Sequence, residues 1–200
     1  GEEVTLPQLE LIYQEHDRQR RERAWQLAAG RWLEDRLAIS QLWMHLSELR
    51  SQMAANAGMP DYRAYRWLQL LRFDYTPQDC THFHDAIEEV VVPAVHRLNE
   101  KRRRALGVET LRPWDLNVTM HGLSPLQPFR EVAELVEGVA AIFAQVDPQL
   151  RAYFEVMCLD GLLDLENRKG KAPGGYCTAF PVARRPFIFM NTVGIHDDVQ

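Results

Sequence analysis

A stripe of apolar residues seven apart constrains this chain more than any other feature. Trp25, Trp32, Ile39, Leu46 and Met53 recur at that interval, and Leu42 and Leu49 fall between them. Seven residues are close to two turns of α-helix, so all of them lie along one side. The spacing predicts one long helix packing that side against neighbouring helices. Asp35 and Arg36 interrupt the seam, which favours a bundle helix over a coiled coil. Gly58 and Pro60 mark its end.

Other stretches repeat the helical signal. Thr5, Pro7 and Gln8 form a start signal for a first helix. The mostly polar stretch from Gln14 to Arg23 reads as solvated surface. Asp61 opens a short helix carrying Tyr62, Tyr65, Leu68 and Leu71. Thr76-Pro77-Gln78-Asp79 supplies a cap, a proline at the first position and an acid in the first turn. Cys80, Phe83, Ile87, Val90, Ala94 and Leu98 follow at helical spacing, with Pro93 expected to kink the helix and Gly107 to close it. Residues 108 to 128 read as a connection anchored by Trp114. Phe129, Val132, Val136, Val139, Phe143 and Val146 form a further helical face, and Asp147-Pro148 starts a helix reaching about Cys158.

The pattern then changes. Residues 160 to 175 are polar and contain Gly161, Gly170, Gly174 and Gly175. The runs Tyr176 to Val182 and Phe187 to Asn191, separated by Arg184, Arg185 and Pro186, predict a β-hairpin. His196 to Gln200 reads as a helix start with an acidic cap. The expected fold is mainly α, a bundle-like arrangement with a small β-hairpin near the C-terminus. The expected divisions are a helical region over 1–158, a glycine-rich loop and hairpin over 159–195, and the beginning of a helix over 196–200.

Composition narrows the function. The 200 residues are 46% hydrophobic and 26% charged, proportions of a globular chain with a sizeable core. A net charge of -5 argues against a dedicated nucleic-acid binder. The arginine-rich runs Arg18 to Arg23 and Lys101 to Arg104 are better explained structurally, the second because cations at a helix C-terminus offset the macrodipole. No apolar run is long enough for a membrane span. Cys80, Cys158 and Cys177 form no CxxC pair; they read as reduced core residues in a cytoplasmic setting.

Catalytic signatures are missing from the local spacing. The histidines are His16, His45, His82, His84, His96, His121 and His196, and no two lie four apart around a glutamate, as a helical zinc site requires. No GxSxG, P-loop or GxGxxG occurs. Asp160, Asp164 and Glu166 cluster before the glycines, yet spacing alone does not make an acid–base pair.

The order of segments carries more. Tyr13 to Arg18 with Arg21 and Ala24, then Ala57 to Tyr62, Phe73 to Thr76, Val92-Pro93 and Leu111 to Leu116 follow one another as in the oligoendopeptidase F and thimet oligopeptidase family. The strongest stretch is Asp164-Leu165-x-x-Arg168-x-Gly170-Lys171-x-x-Gly174-Gly175-Tyr176, and Phe189-Met190-Asn191 with His196-Asp197-Asp198-Val199 complete the series. Nearly the whole chain resembles the central part of that family, ending just before its HExxH helix. The resemblance implies a largely helical peptidase acting on short, unfolded peptides, with one zinc ion held by two histidines of HExxH and a later glutamate. None of those ligands can be assigned here, so no catalytic or metal residue is expected, and the chain alone is expected to be inactive. Gly174, Gly175, Tyr176, Phe189 and Asn191 are the candidate substrate-binding residues. The strand Phe187 to Asn191 is the candidate for holding an extended peptide by β-augmentation. Exposed core faces would make the isolated piece self-associate. The alternative is a non-catalytic helical scaffold or binding module.

Overall fold

The computed structural model describes residues 3–120 and 122–199; His121 and Gln200 lie outside them. The chain divides into two compact units, residues 1–26 with 112–200, and residues 27–111.

In the first unit, α1 (Leu9–Tyr13) starts later than expected. The Thr5 signal is nevertheless used, because its backbone N–H and its hydroxyl both donate to the Gln8 side-chain carbonyl, at 2.7 and 3.1 Å. The long helix predicted from the stripe is two helices, α2 (Arg18–Glu34) and α3 (Arg36–Asn56), separated at Asp35. Arg21 and Ala24 are the buried residues of α2.

The second unit holds α3, α4 (Tyr62–Gln69), α5 (Pro77–Ala86) and α6 (Val92–Ala105). The caps are where the sequence places them. The Asp61 carboxylate accepts from Ala64 N–H at 2.7 Å. Thr76 and Asp79 close a capping box, an arrangement worth about 1 kcal/mol. Between α5 and α6 the helix widens into a π-helical turn, Ile87–Val91, with Pro93 in the first turn of α6. Proline has no N–H to return to residue 89, and the wider turn accommodates that loss. The Lys101 to Arg104 run is partly internal: Arg103 and Arg104 both pair with Glu100, at 2.7 Å each. These two arginines hold the Glu100 carboxyl down to about 2.

The stripe itself does not pack as expected. Trp32, Ile39, Leu42, Leu46, Leu49 and Met53 are all exposed, while Trp25 finds an aromatic partner in Trp114, at 5.3 Å. Helical periodicity put them on one face, but no described element of their own unit covers it.

The core of the first unit lies between a helix and a sheet. Phe129, Leu135 and Leu165 are buried together, surrounded by Val132, Val136, Val139, Leu163, Ile188 and Met190. Each of the three contributes about 2 kcal/mol of burial. Their elements are α7 (Val132–Val146) and a three-stranded sheet, with α8 (Pro148–Leu159) joined through a Phe143–Phe154 edge contact of 5.4 Å. The sheet contains the predicted hairpin, β2 (Tyr176–Phe180) and β3 (Arg185–Thr192), and a third strand the sequence did not show, β1 (Leu163–Glu166). The order is β1-β3-β2, with β1 parallel and β2 antiparallel to β3. β1 was hidden because it is only four residues long and two of those are acidic.

The predicted terminal helix start is a 3-10 turn, His196–Val199. Asp198 caps it: its carboxylate accepts from the N–H groups of Val193, Gly194 and Ile195 at 2.8, 2.8 and 3.0 Å.

Candidate functional site

The site is built around the glycine-rich loop that leads into β2. Its base is Lys171, whose side chain is 2% exposed. The ammonium donates to the carbonyls of Asp164 and Glu166, at 3.0 and 2.8 Å, to the Met190 carbonyl, and to the Asp164 carboxylate at 3.0 Å. A buried charge requires such compensation. Arg168 donates to both Asp164 carboxylate oxygens, at 2.6 and 3.0 Å. Hydrogen bonds from Arg168, then Lys171, hold the Asp164 carboxyl well below the usual carboxylate range. Of the acidic cluster, the carboxylates of Asp164 and Asp160 are thus engaged structurally, Asp160 accepting from Arg185 at 3.1 Å, while Glu166 contributes its backbone carbonyl.

All five candidate residues come together. Asn191 donates through its amide to the carbonyls of Ala172 and Gly174, at 2.9 and 2.8 Å, which ties β3 to the loop. Gly174 has φ +94, a conformation that strains a residue with a Cβ. At Gly175 a Cβ would lie 3.2 Å from the Phe189 carbonyl oxygen, so a side chain there would require the loop or β3 to give way by a few tenths of an ångström. Tyr176 is 54% exposed and stacks on Phe189, with centroids 4.9 Å apart and planes 11° apart. The Asn191 side-chain oxygen is buried with no hydrogen-bond partner among the described residues.

The strand named as the peptide holder is corrected by the topology. β3 is the central strand, and Ile188 and Phe189, in the middle of that stretch, are paired on both sides and have no free edge to offer. The exposed edge is β2, whose residues are all solvent-exposed, whereas two of the four β1 residues are half-buried and Leu165 is buried. Pairing fixes which backbone groups face outward. Ile188 N–H donates to Leu162 on the β1 side at 2.9 Å, and Pro186 has no N–H. Their β2 partners are Cys177 and Ala179. Antiparallel pairs alternate between bonded and non-bonded, so the N–H and C=O groups of Cys177 and Ala179 point away from β3. The hydrophobic alternation of the hairpin did not show this edge, because outward direction depends on pairing partners that periodicity does not specify.

Elsewhere in this unit the Arg18 to Arg23 run resolves into structure. Arg18 and Arg21 converge on Asp115, whose side chain is fully buried. Arg21 also donates to the backbone carbonyls of Trp114 and Glu15, both at 2.7 Å, and of His16 at 3.1 Å. Nothing in the sequence marked Asp115 as their partner, which lies 94 positions from Arg21.

Among the described residues, no group of three or more His, Cys, Asp or Glu is placed to hold a metal ion, so these residues do not by themselves fit a zinc site. Among them, too, no helix is long and apolar enough to cross a membrane.

Comparison with solved structures gives a consistent match. Pz peptidase A with inhibitor 2 superimposes with a TM-score of 0.92 at 29% identity, covering 99% of this chain and 35% of that one. A Bacillus anthracis str. Ames protein described as an oligoendopeptidase F gives 0.91 at 27%, covering 100% and 36%. A further structure described as an oligoendopeptidase F gives 0.92 at 28%, covering 100% and 35%. The chain therefore spans about a third of the length of the structures it matches. No match is found among curated proteins. The fold is that of a segment of a peptidase. The sequence profile of peptidase family M3 matches residues 11–200, and the chain belongs to that family.

Proposed function

We propose that this chain is the substrate-edge segment of a zinc metallo-oligopeptidase, and that the outer edge of β2 holds an extended peptide. The observation that carries this reading is the exposed edge beside the glycine-rich loop, where the backbone groups of Cys177 and Ala179 face outward. A peptide strand laid there would pair with these groups irrespective of its side chains. Gly175 lets the loop close onto β3, the space beside Gly174 is open, and the exposed Tyr176 ring supplies an apolar wall backed by Phe189. Such recognition suits short, unfolded peptides, whose backbone groups are free to pair along an extended segment.

The zinc ion, where bound, supplies Lewis-acid activation of water. Its ligands, in this reading, come from the remainder of the parent protein, since the matched structures are about three times as long. The part assigned to the present residues is to bind and align the peptide.

The test is hydrolysis of an internally quenched oligopeptide by the intact protein, with and without a zinc chelator. Chelator-sensitive cleavage, competed by unlabelled extended peptides, supports the reading. Cleavage that survives complete metal removal, or no cleavage of any of a broad peptide panel by metal-loaded protein, overturns it.

A further inference from the structure

The β1–β3 ladder is irregular at one place. Its register shifts between Asp164 and Glu166. The carbonyls of both residues, together with that of Met190 on β3, turn toward one point, and the Lys171 ammonium occupies it. A register shift leaves carbonyls without ladder donors, and buried carbonyls need partners. A single ammonium with three N–H donors can satisfy several at once. The Asp164 carboxylate balances its charge.

The same ammonium lies 4.4 Å from the centroid of the Phe189 ring, a cation–π contact strengthened by burial. Phe189 is the ring on which Tyr176 stacks. Lys171 is also followed directly by the loop that Asn191 ties down at Ala172 and Gly174. One charged group therefore fixes the bulge, the Phe189 floor and the start of the loop entering the exposed edge strand.

We propose that Lys171 is a positioning residue for peptide binding: its buried charge sets the Gly174–Gly175 loop and the Tyr176–Phe189 stack, and through them the geometry of the β2 edge. This rests on the reading that β2 holds the peptide. Lys171 does not touch the substrate, so its loss weakens binding and leaves the chemical step alone. In Lys171→Ala intact protein, KM for an oligopeptide rises by roughly an order of magnitude while kcat stays within about twofold.

The experiment pairs that measurement with hydrogen exchange, which needs no activity. Amide exchange over residues 172–180 should accelerate in Lys171→Ala. Both changes should reverse with n-propylammonium chloride, which restores the missing propyl chain and charge, and not with 1-propanol at the same concentration and ionic strength. Where the alanine protein does not fold, n-propylammonium must restore its thermal transition, and Lys171→Met serves as the second variant for exchange and kinetics. Wild-type exchange in both variants overturns the proposal. Equal rescue by propanol overturns the role of the charge. Accelerated exchange with unchanged KM overturns the β2 reading while leaving loop positioning by Lys171 in place.

Discussion

Arg21 donates to Asp115 at 3.0 Å, with the two side chains 3% and 0% exposed. Removing one partner of such a pair strands the other charge away from water. Asp115→Asn should therefore cost about 3 kcal/mol or more, read as a lower urea midpoint with an unchanged m-value. Arg18→Gln should cost much less, because its side chain is 39% exposed and solvent screens the pair. Equal losses in the two variants would contradict this account.

The same carboxylate predicts acid sensitivity. Burial alone would raise the Asp115 carboxyl, but hydrogen bonds from Arg18, the Arg112 backbone N–H and Arg21 hold it below its ordinary 3.8. A depressed pKa stabilises the fold fully above the ordinary value, and that stabilisation is lost as pH falls through the folded-state value. Stability should hold from neutrality to about pH 5 and fall steeply below about pH 4. Asp164, shifted in the same direction by Arg168 and Lys171, adds to the slope. Urea melts across this range check it, and Asp115→Asn should flatten the curve.

Gly175 can be tested as a point of close approach. A Cβ there lies 3.2 Å from the Phe189 carbonyl, so Gly175→Val must push the loop away from β3. In the intact protein kcat/KM for an oligopeptide should fall roughly tenfold to a hundredfold, with the circular dichroism spectrum retained. Unchanged turnover would remove the loop from the substrate site.

Gly194 is a structural counterpart. It combines φ +87 with a Cβ position 2.8 Å from the Phe129 carbonyl oxygen. Gly194→Ala should destabilise by about 2 kcal/mol, measured by thermal unfolding, since neither the backbone angle nor the neighbouring backbone can yield cheaply.

The exposed stripe makes a prediction about association. Trp32 and Leu42 of the stripe, and Trp43 beside it, are each more than 60% exposed, at 61, 69 and 61%. Apolar residues clustered along a helix promote self-association. The 200-residue chain in isolation should sediment as a concentration-dependent dimer or larger species, and Leu42→Glu with Trp43→Glu should shift it toward monomer. A clean monomer over a wide concentration range would contradict this.

The local features of this protein are written in its sequence. Asp61, Thr76 and Asp147 each cap the helix they precede, because a cap needs only a side chain two or three residues from the N–H it receives. The alternation around Arg184 and Pro186 likewise produced the hairpin, and the ordered series of short motifs was enough to show the family. What the sequence could not show depends on distant partners. Asp115 reads as an ordinary loop acid until α2 brings Arg18 and Arg21 to it. Lys171 reads as a loop lysine until β1 and β3 turn three carbonyls toward it. The short strand β1 makes β3 central and moves the open edge to β2, which periodicity alone could not reveal, since a strand's neighbours are chosen by the packing of the whole sheet.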